Sequence, residues 1–473
     1  MKQEQRVEHD SLGEIRVASD RYWGAQTQRS MTHFNIDLDR FRWRQPMIKA
    51  FGLVKKAAMQ ANFALGLLDQ PIFNAMFTSA QKMIDGELDD HFPLGVFQTG
   101  SGTHSNMNAN EVIANYANEM LGYPLGGNHP VHPNDHVNLG QSSNDVFPSV
   151  MHLAVVDQLS TRLLPVCQAL QKTLADKSEQ CNDILKNGRT HLQDAVPLTL
   201  GQEISGWVAQ LDFAITTIQQ HAKSLHAIAL GGTAVGTGLN AHPEFAAKAA
   251  AILAAATAFP WEISKHSFSA SSSHEPLVEI SAALRTLAVA LLKISNDIRW
   301  LASGPNGGIG ELQLPENEPG SSIMPGKINP SQCEALSMVC VQVVGNDLTV
   351  AFADSQGNFQ LNAFKPVIVH NILESISLLS DAIHCFDCYC CAGIEANRPV
   401  IEDHLAHNLM LVTALVPHLG YEKAADIAKH AQQQSIPLQQ ACIDLEYATH
   451  EQYTAWLELS FPKIASIESA DNP

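Results

Sequence analysis

The chain has 473 residues, with 48 acidic against 29 basic side chains and a formal charge of −19. Its length exceeds a single simple core and predicts two or three domains, while 45% hydrophobic and 16% charged residues exclude a disordered chain. The acidic balance argues against a nucleic-acid partner, and any anionic ligand must find a local patch of donors against the global field.

No stretch approaches the ~18 unbroken apolar residues of a membrane span, so no membrane partner is expected. The richest run, Leu284 to Leu301, is broken by Arg285, Lys293, Asp297 and Arg299. The N-terminus mixes Lys2, Glu4, Arg6, Glu8 and Asp10. It lacks the apolar core of a signal peptide and the acid-poor character of a transit peptide, so a cytoplasmic location is expected. The nine cysteines are scattered and odd in number, which makes a disulfide framework unexpected. Four crowd together at Cys385, Cys388, Cys390 and Cys391, after His384. Their spacing matches no zinc or iron–sulfur pattern and reads as a helix carrying thiols; no metal and no cofactor are expected.

In chain order, Leu12 to Val17 predicts a short hairpin. Gly100-Ser101-Gly102-Thr103 forms a loop before a helical run starting near Asn106. Gln141 to Asp145 forms another, before a long helix over Met151 to Leu174. Gly188-Arg189-Thr190-His191 reads as a polar turn before a further helix. Trp207 to Leu230, Leu277 to Leu301, Ala335 to Phe352 and Pro366 to Tyr389 all carry apolar residues at three- and four-residue spacing. Several are apolar over most of their circumference, as in a bundle, often an oligomeric one. The fold class expected is all-α. Gly304 to Pro330 is a long Gly/Pro-rich segment between two bundle helices, and a loop of that length is usually functional or mobile.

Small donors at helix N-termini make anion sites, because free N–H groups and the helix dipole both favour negative charge. Ser101 with Thr103, and Ser142 with Ser143 and Asn144, could each hold a carboxylate this way, although Gly, Ser, Thr and Asn also serve as ordinary turns and caps. No phosphate-loop string is present, and Gly231 to Gly238 lacks the preceding strand of a dinucleotide site. The third loop adds Ser321, Ser322, Lys327 and Asn329. Asn329-Pro330 and Ser331 with Glu334 fit a helix start equally well. His191 is one of 21 histidines and stands out only through its polar neighbours Thr190, Gln193 and Asp194.

Together these strings resemble the fumarase/aspartase superfamily, and the class II fumarases within it. The most specific is Gly320-Ser321-Ser322-Ile323-Met324-Pro325-Gly326-Lys327-Ile328-Asn329-Pro330, similar to the family's mobile catalytic loop. Tyr22 to Ser30, Gly100 to Glu111, Gln141 to Asp145, Gly188 to Ala195, Gly231 to Asn240 and Gly393 to Arg398 also match, so the resemblance spans nearly the whole chain. His191 and Gly326 are fumarase-like, where aspartases have glutamine and alanine. His129 departs from the pattern, standing where related chains often have arginine.

The resemblance implies three helical domains, 1–141, 142–364 and 365–473, with the central bundle joining a homotetramer whose active sites draw on three subunits. It implies a metal-independent hydro-lyase that interconverts fumarate and (S)-malate. Ser321 would be the base, with His191 handling the water and Glu334 orienting it. The small dicarboxylate would be held by Ser101, Gly102, Thr103, Ser142, Ser143, Asn144, Thr190, Ser322, Lys327, Ile328 and Asn329. A second anion site would lie at His132, Pro133, Asn134 and Asp135. The competing readings are an aspartate ammonia-lyase using the same loop and a non-catalytic structural homologue.

Overall fold

The computed structural model describes residues 4–460. These are predominantly helical, and every sheet among them is a two-stranded pairing. The N-terminal hairpin is longer than expected: β1 (Gln5–Asp10) pairs antiparallel with β2 (Gly13–Ala18). Helix α1 spans Ala25–His33. Helix α2 (Gln45–Ala64) starts with Pro46 in its first turn, where a missing N–H is harmless, and gives way at Leu65 to Gly66 with φ 74. Its Met47, Phe51, Val54 and Ala58 recur at three- and four-residue spacing and are buried.

Helices α3 (Gln70–Ile84), α4 (Thr103–Met120), α5 (Ser143–Gln158) and α8 (Phe245–Thr257) surround α2 with their apolar faces. Phe147 of α5 meets Phe51 at 5.8 Å and Trp43 at 6.2 Å between ring centroids. Burying each such side chain stabilises by about 1.5–3 kcal/mol. Both α4 and α5 begin earlier than periodicity predicts. Their first turns, Thr103-His104-Ser105 and Ser143-Asn144-Asp145, are polar and carry no apolar signal. A π-helical turn, Leu159–Leu163, separates α5 from α6 (Leu164–Gln180), so the helix expected over 151–174 is two.

The segment 185–199 corrects a further expectation. It is a hairpin, β3 (Leu185–Thr190) paired with β4 (Gln193–Thr199), not a turn leading into a helix. Its two tip residues, His191 and Leu192, both have left-handed backbone, φ 57 and 59. That is the geometry of a tight hairpin turn, normally signalled by Asn-Gly or Asp-Gly. Helix α7 then runs over Leu200–Ala222 and stops short of Leu230. Ala227–Ile228 instead pairs in parallel with Glu262–Ile263, which puts a two-residue strand before Gly231.

The remaining long helices are α9 (Glu275–Leu301), α10 (Ser331–Asp354) and α11 (Lys365–Tyr389). By length and composition alone, Ser331–Asp354 and the span 365–393 are apolar enough to cross a membrane, although the longest unbroken apolar run in the sequence suggested none. Two compact units result. One comprises Met1–Pro165, Ala214–Ala288 and Val339–Ser380; the other comprises Val166–Phe213, Val289–Met338 and Asp381–Pro473. The second has its own small core around Leu415, Ile427, Leu438 and Ala441.

Candidate active site

The first unit brings together the two loops expected to bind a carboxylate. Gly102 caps α4 with φ 78, and a Cβ there would lie 2.1 Å from the Phe147 ring. At Gly100 a Cβ would meet the Ala363 carbonyl oxygen at 1.5 Å. Only glycine allows this loop to press so closely on its surroundings. Its hydroxyls then line up with those of the second loop. Ser101 Oγ lies 2.8 Å from Thr103 Oγ1, which lies 2.7 Å from Ser143 Oγ.

The second loop is fixed by a capping box. Ser142 Oγ accepts from the Asn144 N–H at 3.2 Å, and Asp145 Oδ1 accepts from the Ser142 N–H at 2.8 Å. The other oxygen of Asp145 accepts from the N–H groups of Gly231 and Thr233 at 2.9 and 3.0 Å, and Asn144 Nδ2 donates to the Ala234 carbonyl. The Gly231 to Asn240 string therefore braces the start of α5. Burial raises the Asp145 carboxyl to about 6 even with these donors around it.

A cavity of about 370 Å³ opens beside the hydroxyls, lined among others by Thr103, Asn106, Asn138, Gln141, Ser142 and Ser143. Among the described residues none of the side chains lining it is charged. An N-terminal helix turn and several hydroxyls facing a polar cavity can hold a carboxylate.

The second unit holds the Ser321 loop and the His191 hairpin. Ser321 Oγ accepts from the N–H groups of Ile323 and Met324 at 3.2 and 3.0 Å. Lys327 Nζ donates to Asn329 Oδ1 at 2.6 Å, and Asn329 Nδ2 donates to the Gly320 carbonyl at 2.6 Å. The loop's two ends are thus pinned while Ser322 to Ile328 stay exposed. Thr190, His191 and Glu334 are also exposed, and no hydrogen bond joins His191 to Glu334 within the described residues of one chain.

What anchors the hairpin was not legible from its own residues. Buried Glu311 receives Arg189 through both oxygens, at 3.0 and 2.6 Å, and also meets Lys186 at 3.2 Å and His404 at 3.1 Å. Burial pushes its carboxyl up, but the two cations outweigh that and hold it below the usual carboxylate range. Glu311 lies in the Gly/Pro-rich segment, and nothing in its local pattern marks it as buried.

His132, Pro133 and Asn134 line a separate cavity with Glu8, Asp10 and Glu111. His132 Nδ1 accepts from the N–H groups of Asn134 and Asp135, both at 3.2 Å, so that nitrogen serves as a helix cap. An anion at this place would face three carboxyl groups. Among the described residues no group of three or more His, Cys, Asp or Glu side chains converges as a metal site. Cys388 is exposed, whereas Cys390 and Cys391 are buried.

Residues 13–345 match the family described as Lyase, and residues 411–460 match Fumarase C C-terminus. The fold and these matches define a lyase. The chain is 55% identical over 450 residues to the class II fumarate hydratase of Thermus thermophilus, spanning 95% of this chain and 96% of that one. It is 52% identical over 453 residues to the class II fumarate hydratase of Nitrosomonas europaea, spanning 96% and 98%. The crystal structure of a class II fumarase from Schistosoma mansoni superposes with a TM-score of 0.94 at 39% identity, covering 97% of this chain and 100% of that one. The chain belongs to the class II fumarase family.

Proposed function

We propose that the chain is a fumarate hydratase that adds water to fumarate in the anti sense, giving (S)-malate, and catalyses the reverse. The observation that carries this reading is the 55% identity, over nearly the full chain, to a class II fumarate hydratase. In the malate direction a carbon-bound proton leaves next to a carboxylate, and hydroxide departs from the neighbouring carbon. Charge then builds on the carboxylate as an aci-form, which preorganised donors must stabilise.

Lys327 and Asn329 fill that role in this reading, and Ser321 takes the proton. Serine is a weak base, but its alkoxide is favoured by donors to Oγ, and the N–H groups of Ile323 and Met324 already point there. Ser101, Thr103, Ser143, Asn144 and Thr190 hold the other carboxylate. His191 protonates the departing hydroxide, with Glu334 orienting the ring. A coupled assay with fumarate, malate and aspartate tests the reading. Turnover of aspartate faster than malate would make the chain an ammonia-lyase, and no turnover of any of them would leave a structural homologue.

The same reading divides the chain at 141/142 and 364/365 and assembles it as a homotetramer with sites shared among three subunits. One face of α10 supports the assembly. Val341, Val344, Leu348 and Phe352 are 64, 42, 63 and 68% exposed and follow one another at three- and four-residue spacing. An apolar stripe of this kind is more than a soluble monomer normally leaves in water. Light scattering is expected to give four times the chain mass, and an active, monodisperse monomer would overturn both the tetramer and the shared site.

The proposed chemistry uses no metal. Activity is expected to survive exhaustive chelation and exposure to air. Loss that iron alone restores would reassign the Cys385 to Cys391 cluster as a metal site.

A further inference from the structure

Lys55 lies in the middle of α2 and is 0% exposed. Taking an ammonium fully out of water costs several kcal/mol, so one persists only where something compensates it. Among the described residues no carboxylate reaches it within salt-bridge distance. Its Nζ instead donates to two neutral amides, Asn138 Oδ1 and Gln141 Oε1, both at 2.9 Å. Asn106 and Asn110 of α4 add their Nδ2 groups to the same Asn138 oxygen, at 3.1 and 3.2 Å. Among the described residues the charged group that acts on Lys55 is Asp145, at the start of α5. That carboxylate is already engaged by three backbone N–H groups.

Both amides that hold Lys55 also line the uncharged cavity beside Thr103 and Ser143. The ammonium therefore sits one side chain behind the wall, in a place water does not reach. Its potential is poorly screened there and acts on whatever occupies the cavity. Its hydrogen bonds also fix the segment leading into Ser142. Gln141, with its oxygen turned to Lys55, sends Nε2 to the Val137 and Leu139 carbonyls, and Asn138 Nδ2 donates to the Gln141 carbonyl.

We propose that Lys55 is a positioning residue of this cavity, whose buried ammonium, held by Asn138 and Gln141, supplies the positive charge that lets an otherwise uncharged wall retain one carboxylate of a dianion. The assignment rests on the fumarate-hydration reading for the identity of the dianion, though not for the cavity or its charge. Burial brings the ammonium down to about 7, so it is poised to gain a proton when a second negative charge arrives. Lys327 serves the other carboxylate in the proposed reaction, so this end of the dianion is held by a charge fixed behind the wall.

The test compares wild type with Lys55→Met and Lys55→Gln. The rise in melting temperature with succinate, a dianion that cannot be hydrated, is read beside that with monoanionic monomethyl succinate. In both variants succinate is expected to act only at concentrations about tenfold higher or more, with the preference for dianion over monoanion lost. KM for fumarate should rise by a similar factor, while kcat falls less than about threefold. Looser packing alone would weaken both ligands alike and leave the preference intact, which would overturn the proposal. A wild-type succinate response in the variants would overturn it too, with the hydratase reading untouched. A wild type that binds succinate but fails to hydrate fumarate would sink the reaction and leave Lys55 standing. Should neither variant fold, calorimetry of wild type decides: succinate held about tenfold or more tighter than monomethyl succinate supports a positive charge behind the wall, and equal binding of the two refutes it.

Discussion

Ser321→Ala is expected to lower kcat for malate dehydration by about 10²–10⁴-fold, the usual range for removing a positioned proton acceptor. Binding of succinate should stay within about threefold of wild type, because in the proposed mechanism the hydroxyl takes a proton and does not anchor the ligand. The fold should be unaffected, since Ser321 lies in a partly exposed loop and its Oγ accepts from the nearby N–H groups of Ile323 and Met324. Lys327→Ala provides the contrast. In the proposed mechanism its ammonium meets charge in both ground and transition states, so KM should rise and kcat fall together. Steady-state kinetics on the two variants separates the roles. If Ser321→Ala retained near-normal turnover, the base would lie elsewhere, with His191 the next candidate.

His191→Asn is expected to slow fumarate hydration by about 10²–10⁴-fold without creating an efficient aspartase. Expelling hydroxide needs a donor that holds and releases a proton near neutral pH, which imidazole can do and a neutral amide cannot. Ammonia leaves from an already protonated amine, so an amide suffices for that reaction. Gly326 and the Ser142 loop would remain as they are in the fumarases. The backbone makes this variant a fair test. His191 has φ 57 at the hairpin tip, a conformation asparagine adopts more readily than most residues. Folding stability should therefore stay within about 0.5 kcal/mol of wild type, as for other exposed positions. Activity of His191→Asn within threefold of wild type would remove this residue from the water-handling role. Rapid ammonia release from aspartate by wild type would overturn the hydratase reading.

These experiments address loops that were legible from composition alone. Ser101, Thr103, Ser142, Ser143, Ser321 and Asn329 cluster as small donors between periodic segments, with the cation Lys327 beside them, and that pattern needs no third dimension. The long helices were equally legible, because one apolar stripe per element is written at three- and four-residue spacing. Their starts were not. The first turn of α5 is a polar cap whose further partners, Gly231 and Thr233 for Asp145, are distant in sequence, while α4 starts at Gly102 without a side-chain cap. The 185–199 hairpin escaped for a related reason. Its turn uses His191 and Leu192 in left-handed geometry, and the hairpin is held by Arg189 and Lys186 reaching Glu311, far along the chain.

The helical class, the family and the strings proposed to carry the chemistry are local properties of the sequence, since each depends on residues close together in the chain. Tertiary structure decided which of those strings share a cavity and where the cavity's charge comes from. Lys55 shows the difference most plainly. Beside Lys56 it reads as an ordinary helical surface lysine, yet it falls in step with Met47, Phe51, Ala58 and Asn62 on the inner face of α2. That face is buried against α4, α5 and the 138–141 segment, so Lys55 meets amides where Lys56 meets a phenyl ring at 4.2 Å. A charge acts through what surrounds it, and packing between distant segments sets those surroundings.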